Sequence, residues 1–387
     1  MNTYDFETVI PRRGTDSLKW SGRENELPMW VADMDFATAP EVLAAIQDRA
    51  AHGIFGYSVL GEAWYDAYIG WWQRRHGLTM ERSWLLFCTG VIPAISSLIR
   101  ALTAPGEGVV LQPPVYNMFF HCIERNGRRA AENPLRYENG SYSVDFEDLE
   151  RCLAAPENTL MLLCSPHNPV GRIWDRETLE RIGALCRRYG VTVISDEIHC
   201  DLTEPGRDYV PFASVSDCCR DNSITCLAPT KTFNLAGIKT AAVAVADPAL
   251  RERVRRALDN DGVAEANAFA VPAAVAAFNH GAPWLDALRR HISQNRARTG
   301  AFLARELPEV SLVPGEATYL LWLDFGRSTG KLGPWLRREA GLWLSPGGAY
   351  GRQGENFLRM NIACPRATLE EGLERLRTGL QRYDWDR

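Results

Sequence analysis

The chain has 387 residues, of which 46% are apolar and 24% charged, with a formal net charge of -5. That length predicts two packed domains rather than one small core. The acidic balance argues against a general nucleic-acid binder, no run of about 18 apolar residues is present to span a bilayer, and the N-terminal stretch lacks the apolar segment of a signal peptide.

In chain order, residues 1–45 hold short apolar pieces bounded by proline and are expected to pack against the C-terminal part. Trp64, Trp71 and Trp72 follow at helical spacing and read as core or interface. Residues 83–88 (SWLLFC), 108–111 (GVVL), 159–164 (TLMLLC), 191–195 (VTVIS), 223–227 (SITCL) and 241–246 (AAVAVA) read as strands buried on both faces. Between two of them, residues 176–189 carry Leu179, Ile182, Leu185 and Cys186 on one helical face with charges opposite. Strand, helix, strand in this order predicts a mostly parallel sheet flanked by helices. The basic pieces at 251–256 and 289–290 lie in helix-like stretches and read as solvated faces. From about residue 281 the pattern changes to a long helix (284–307), two strands (318–323 and 357–362) and a last helix (368–383), a smaller α+β domain. The ten cysteines are scattered, without a C-x-x-C pair, so neither a disulfide framework nor a zinc site is expected and a reduced, cytoplasmic setting is.

Most of these strands run directly into polar or glycine-rich residues. Cys88 is followed by Thr89 and Gly90, Cys164 by Ser165-Pro166-His167-Asn168, Ser195 by Asp196, and Leu227 by Ala228-Pro229-Thr230-Lys231. Ligands of open parallel sheets bind beyond the carboxyl ends of the strands. Four polar clusters on one edge therefore predict a cofactor site.

The segments Ala228-Pro-Thr-Lys231-Thr-Phe-Asn-Leu-Ala-Gly237, Asp196-Glu-Ile-His199 and Asn168-Pro-Val-Gly-Arg172 resemble the fold-type-I aminotransferase superfamily of enzymes dependent on pyridoxal 5′-phosphate (PLP). Within it the chain looks like the MalY/PatB group of carbon–sulfur β-lyases. The likeness extends through TVIPRRG at 8–14, WVADMDF at 30–36, FGYS at 55–58, TYLLWLD at 318–324 and FLRMNIACPR at 357–366. It implies an α/β fold whose large domain holds a mostly parallel seven-stranded sheet, with divisions at 1–45, 46–280 and 281–387.

The resemblance also implies roles. Lys231 would hold PLP as a Schiff base and take the Cα proton of an amino-acid substrate; its neutral amine is the reactive form. Asp196 would face the pyridine nitrogen and keep the ring protonated, which makes the cofactor an electron sink. Asn168 would bond the phenolic oxygen of the ring, with His199 either a partner there or one layer behind. Tyr116 would stack on the ring, and the amides of Gly90, Val91 and Ile92 would cradle the phosphate at a helix N-terminus. Thr230 offers a hydroxyl. Lys239 stands where many aminotransferases carry a phosphate-binding arginine, and a surface lysine is its rival reading. Tyr57 looks like the tyrosine that reaches the phosphate of a neighbouring subunit, implying a homodimer with shared sites. Arg359, in a run otherwise apolar, suits a substrate α-carboxylate. Ala32 and Met34 are expected at the substrate mouth.

Proton abstraction at Cα serves elimination, transamination and racemisation alike. β-Elimination from a cysteine S-conjugate is favoured by the MalY/PatB likeness alone. An aminotransferase is the first alternative, and a biosynthetic relative that cleaves or oxidatively deaminates a larger cysteine conjugate is the second. A purely regulatory role is disfavoured, since no helix-turn-helix domain precedes the catalytic core. No metal is required.

Overall fold

A computed structural model describes residues 4–385. Its large sheet has seven strands in the order Leu85–Cys88, Ala241–Ala244, Ser223–Leu227, Thr192–Asp196, Asn158–Cys164, Gly108–Leu111, Arg129–Glu132. Ala241–Ala244 runs antiparallel to both neighbours, and every other pairing is parallel. The expected strands are present, with ends moved by a few residues. Arg82–Trp84 form a 3-10 turn ahead of Leu85, and Thr192–Asp196 carries Asp196 as its last residue. Arg129–Glu132 was not anticipated. It is an edge strand without a buried residue, so it lacks the continuous apolar run that marks the central strands.

Side chains alternate between two apolar layers, as strand geometry requires. Val109, Leu111, Leu160, Leu162, Ile194 and Ile224 enter one core. Val110, Met161, Leu163 and Val193 enter the other, where they meet Leu179, Ile182, Leu185 and Cys186 of helix Arg176–Arg188. That helix starts because Asp175 accepts a hydrogen bond from the Thr178 amide at 2.7 Å. Trp64, Trp71 and Trp72 are all buried.

The C-terminal part is built on Leu320–Asp324 and Phe357–Asn361, paired antiparallel and flanked by Ser311–Leu312 and Ser345–Pro346. Helices Ala282–Glu306 and Arg366–Arg382 accompany it. The N-terminal segment is threaded into it. Leu27–Pro28 pairs in parallel with Leu342–Trp343, and Asn361 Nδ2 donates to the carbonyls of Val31 and Asp33, both at 2.6 Å. Helix Pro40–Ala51 runs across the division expected at residue 45, because its apolar side packs on helix Ala270–His280 of the large part.

Candidate active site

Cys164, Asp196 and Cys226 are register partners on adjacent strands, so the residues after them emerge side by side at one edge of the sheet. Leu227 leads into a tight turn, closed by the Phe233 amide on Pro229 and the Leu235 amide on Thr230. That turn lifts Lys231 over the strand ends. Its amine donates to the carbonyl of Ala32. Burial, aided by the charge of Arg359, draws the Lys231 ammonium down to about 8.

Asp196 is 4% exposed, accepts the Ile198 amide at 3.2 Å, and has no ion pair among the described residues. Burial pushes its carboxyl up to about 6. Glu197 points elsewhere: it holds Ser195 Oγ at 2.8 Å, the Phe212 amide at 3.0 Å and the Tyr209 hydroxyl, a structural set that keeps the strand end in place. His199 is buried, its Nδ1 without a hydrogen-bond partner among the described residues, and burial with the nearby charges of Lys231 and Arg359 holds it down to about 3. It is a neutral imidazole beside two cations.

Arg359 is the most telling group. Its guanidinium is 4% exposed, yet no carboxylate pairs with it among the described residues. It donates to Asn168 Oδ1 at 3.1 Å and to the Trp30 carbonyl at 2.8 Å, lies 4.8 Å from the Tyr350 ring centroid, and leaves Nε unpartnered. A buried cation held by neutral oxygens and an aromatic face is costly unless an anion completes it. Asn168 is therefore brought to Arg359. Its loop is tied down at Gly171, whose carbonyl accepts the amides of Glu316 and Ala317. Gly171 has φ +71° and no room for a Cβ, which would lie 3.0 Å from the Ala317 carbonyl oxygen. Arg172 in the same loop pairs with Glu316 at 3.2 Å and is structural.

Gly90 precedes helix Val91–Leu102, whose N-terminus has no side-chain cap, and the amides of Val91 and Ile92 open that helix. Tyr116 precedes helix Asn117–Arg125, and burial raises its phenol to about 12. Thr230 is buried in the turn before Lys231.

Three expected residues stand apart. Met34 is 1% exposed in the apolar core, and its backbone bonds with Asn234. Lys239 is exposed on left-handed backbone (φ +57°) just ahead of Ala241–Ala244, not within a strand. Tyr57 is fully exposed, among Ile54, Phe55 and Val59, and touches none of the site residues of its own chain. Conversely, sequence reasoning named neither Trp30, Tyr319, Ser345 nor Tyr350 as individual site residues. Tyr319 donates to the Ala32 carbonyl at 3.0 Å, the same oxygen that Lys231 uses, and Ser345 donates to the Trp30 carbonyl at 2.9 Å. The glycine-rich run 347–351 that presents Tyr350 was the one available signal.

Residues 26–376 match the family model for aminotransferase class I and II. The chain belongs to that family. Among curated members, cystathionine beta-lyase PatB of Bacillus subtilis is 45% identical over 385 residues, covering 97% of this chain and all of that protein. Among solved structures, a PLP-bound putative aminotransferase from Clostridium difficile superposes with TM-score 0.95 at 35% identity, over 97% of this chain and 100% of that one. The PLP-bound C–S lyase of Staphylococcus hominis superposes with TM-score 0.92 at 29% identity, over 97% and 98%. The seven-stranded sheet and its helices are thus the fold-type-I arrangement of this aminotransferase family.

Proposed function

We propose that the chain is a carbon–sulfur β-lyase that uses PLP to split an L-cysteine S-conjugate of cystathionine type, with one water, into thiol, pyruvate and ammonia. Arg359, buried and without a carboxylate partner among the described residues, and bonded like Lys231 to the Trp30–Ala32 segment, carries this reading. The 45% identity to a cystathionine beta-lyase supports elimination over transfer.

The residues suit the cofactor. A buried carboxylate with one N–H donor and no ion pair among the described residues accommodates a protonated ring nitrogen, an amine drawn down to about 8 accommodates an aldehyde, and an uncapped helix N-terminus accommodates a phosphate. When bound, PLP supplies an electron sink for the electron pair left at the substrate Cα.

The chain's own groups then divide the work. Arg359 holds the substrate carboxylate through its guanidinium. Asn168, already bonded to Arg359, links the carboxylate end to the ring end. Lys231 Nζ takes the Cα proton, and the carbonyl of Ala32 orients that nitrogen. With the cofactor bound, Asp196 would keep the ring nitrogen protonated, Tyr116 would cover the ring, and Gly90, Val91, Ile92 and Thr230 would hold the phosphate. His199, neutral at physiological pH, would complete the wall beside the ring. Loss of the sulfur from Cβ follows once the proton has left, and the rate comes from positioning and from the electron sink.

The exposed apolar run of Ile54, Phe55, Tyr57 and Val59 supports a homodimer in which Tyr57 enters the partner's site. All ten cysteines are free and no helix among the described residues is long and apolar enough to cross a membrane, which supports a reducing, cytoplasmic setting.

Incubation with L-cystathionine tests the activity. Pyruvate and homocysteine in equal amounts are expected. Accumulation of pyridoxamine phosphate without thiol would assign the protein to the transaminating members instead.

A further inference from the structure

Away from this site, a cavity of about 240 Å³ is lined by Arg74, Arg75, Arg207 and Arg289, with His76, Asp201 and Asp208 between them. Four guanidiniums thus face two carboxylates. Few of their donors are spent on acids. Arg75 reaches Asp286 at 2.9 Å and Arg289 stands 3.7 Å from the same oxygen, while Arg207 is 3.9 Å from Glu316. Arg74 bonds only the Phe278 carbonyl, and Arg289 gives its Nε and one terminal nitrogen to Thr203 and the Glu204 carbonyl. Each arginine keeps N–H groups without a protein acceptor among the described residues. Burial and the neighbouring charge of Arg75 hold Arg289 below its ordinary value, so the two cations are near enough to oppose each other.

Asp201 does not relieve them. Its oxygens already accept Trp71 Nε1 at 3.1 and 3.2 Å, His76 Nε2 at 2.8 Å and Thr232 Oγ1 at 2.9 Å. This saturation also argues against a metal ion, although His76, Cys200 and Asp201 place ligand atoms within 4.8 Å of one another. A cation would have to displace three donors, and burial beside Asp201 and Glu197 pushes the Cys200 thiol well up. Asp208 is the other carboxylate of the lining, so the four guanidiniums outnumber the acids there.

We propose that this cavity binds a small tetrahedral oxyanion of the sulfate or phosphate class, and that its occupancy is relayed to Lys231 through His76, Asp201 and Thr232. Spare guanidinium N–H groups match such an anion in charge and geometry. An anion beside His76 acts on its hydrogen bond to Asp201, whose other oxygen holds the hydroxyl of the residue that follows Lys231. The binding stands on the cavity alone; the relay rests on the role assigned to Lys231.

Calorimetric titration of the holoenzyme with inorganic sulfate, and separately with inorganic phosphate, tests the site. One saturable site per chain is expected, weakened about tenfold or more by Arg75→Ala with Arg207→Ala, since each charge-assisted bond contributes on that order. Arg207→Ala alone guards against misfolding, because that side chain is 64% exposed, and it should weaken binding in the same direction. Arg359→Ala should leave the affinity unchanged. No saturable binding, undiminished binding in the arginine variants, loss in Arg359→Ala, or zinc binding that excludes sulfate would each overturn the site.

The visible spectrum at fixed pH tests the relay. Sulfate should alter the balance of cofactor absorption bands in the wild type. Thr232→Val, which lies outside the cavity, should bind sulfate normally and show no spectral response. A response that persists in Thr232→Val, or none in the wild type despite binding, overturns the relay. If borohydride mapping fails to tag Lys231 while sulfate still binds, the proposed function fails and the anion site stands.

Discussion

Asp196 and Lys231 are tuned by the same cause, burial, in opposite directions along the charge scale. Burial disfavours whichever form is charged, so the acid rises to about 6 and the amine falls to about 8. For Asp196 the folded value lies above its usual 3.8, so the folded chain keeps the proton while the unfolded chain loses it between those values. The cofactor-free protein therefore loses stability as pH rises from about 4 to about 6 and carries the full penalty above. Asp196→Asn should stabilise that form by about 2–3 kcal/mol at pH 8 and by little at pH 4, measured by urea unfolding. The same variant should cut kcat about a thousandfold, as expected if the ring loses its proton. For Lys231 the reactive amine is the neutral form, which gains population as pH rises through about 8. Stopped-flow absorbance should show cofactor capture accelerating up to that pH and levelling above it. A flat profile from pH 6 to 10 would contradict the depressed value. Asp196 was legible because it ends an apolar strand, and Lys231 because it stands four residues after one, within a segment that resembles the family's. Arg359 was legible as a misfit in an apolar run, but its lack of a carboxylate partner was not.

The segment from Trp30 to Phe36 is a loop without regular structure of its own, yet it supplies backbone oxygens to both Lys231 and Arg359. Its shape is imposed from outside. Asn361 holds the carbonyls of Val31 and Asp33, Arg12 pairs with Asp33 and Asp35 at 2.8 Å each, and Asn234 accepts the Met34 amide while donating to the carbonyls of Met34 and Phe36. Asn234 itself sits at φ +56°, a conformation that asparagine tolerates and alanine resists. Two variants separate the contributions. Asn234→Gly keeps the backbone and loses the bonds, for about 2 kcal/mol; Asn234→Ala should cost about 1 kcal/mol more. Chemical denaturation reads both, and equal losses would show that backbone conformation contributes nothing there. Sequence reasoning expected this loop, with Ala32 and Met34, to line the substrate mouth, and did not foresee that the Met34 side chain packs into the apolar core. Which side chains of an irregular loop turn inward has no periodicity to betray it.

At the scale of the whole molecule, one chain leaves Tyr57 fully exposed beside Ile54, Phe55 and Val59. Exposed apolar clusters of this kind seek a partner surface. If Tyr57 serves the neighbouring site, an inactive Tyr57→Ala dimer and an inactive Lys231→Ala dimer should regain activity when their subunits are exchanged. Random mixing makes half the dimers mixed, each with one intact site, so recovery should approach roughly a quarter of wild type. No recovery would place the role of Tyr57 within its own subunit, and an active Tyr57→Ala dimer would place it outside catalysis.

The sequence by itself determined the buried strands, the helix between them and the sheet edge where polar residues gather. Those features are local: an apolar run followed by polar residues is written within about ten consecutive positions, and burial on both faces of a parallel sheet demands it. Only the tertiary structure decided that Arg359 would meet Trp30 across 329 positions and Asn168 across 191, or that His76 would reach Asp201 across 125. Such contacts depend on how separately folded pieces pack. A single guanidinium or carboxylate reveals what it lacks only after that packing has surrounded it.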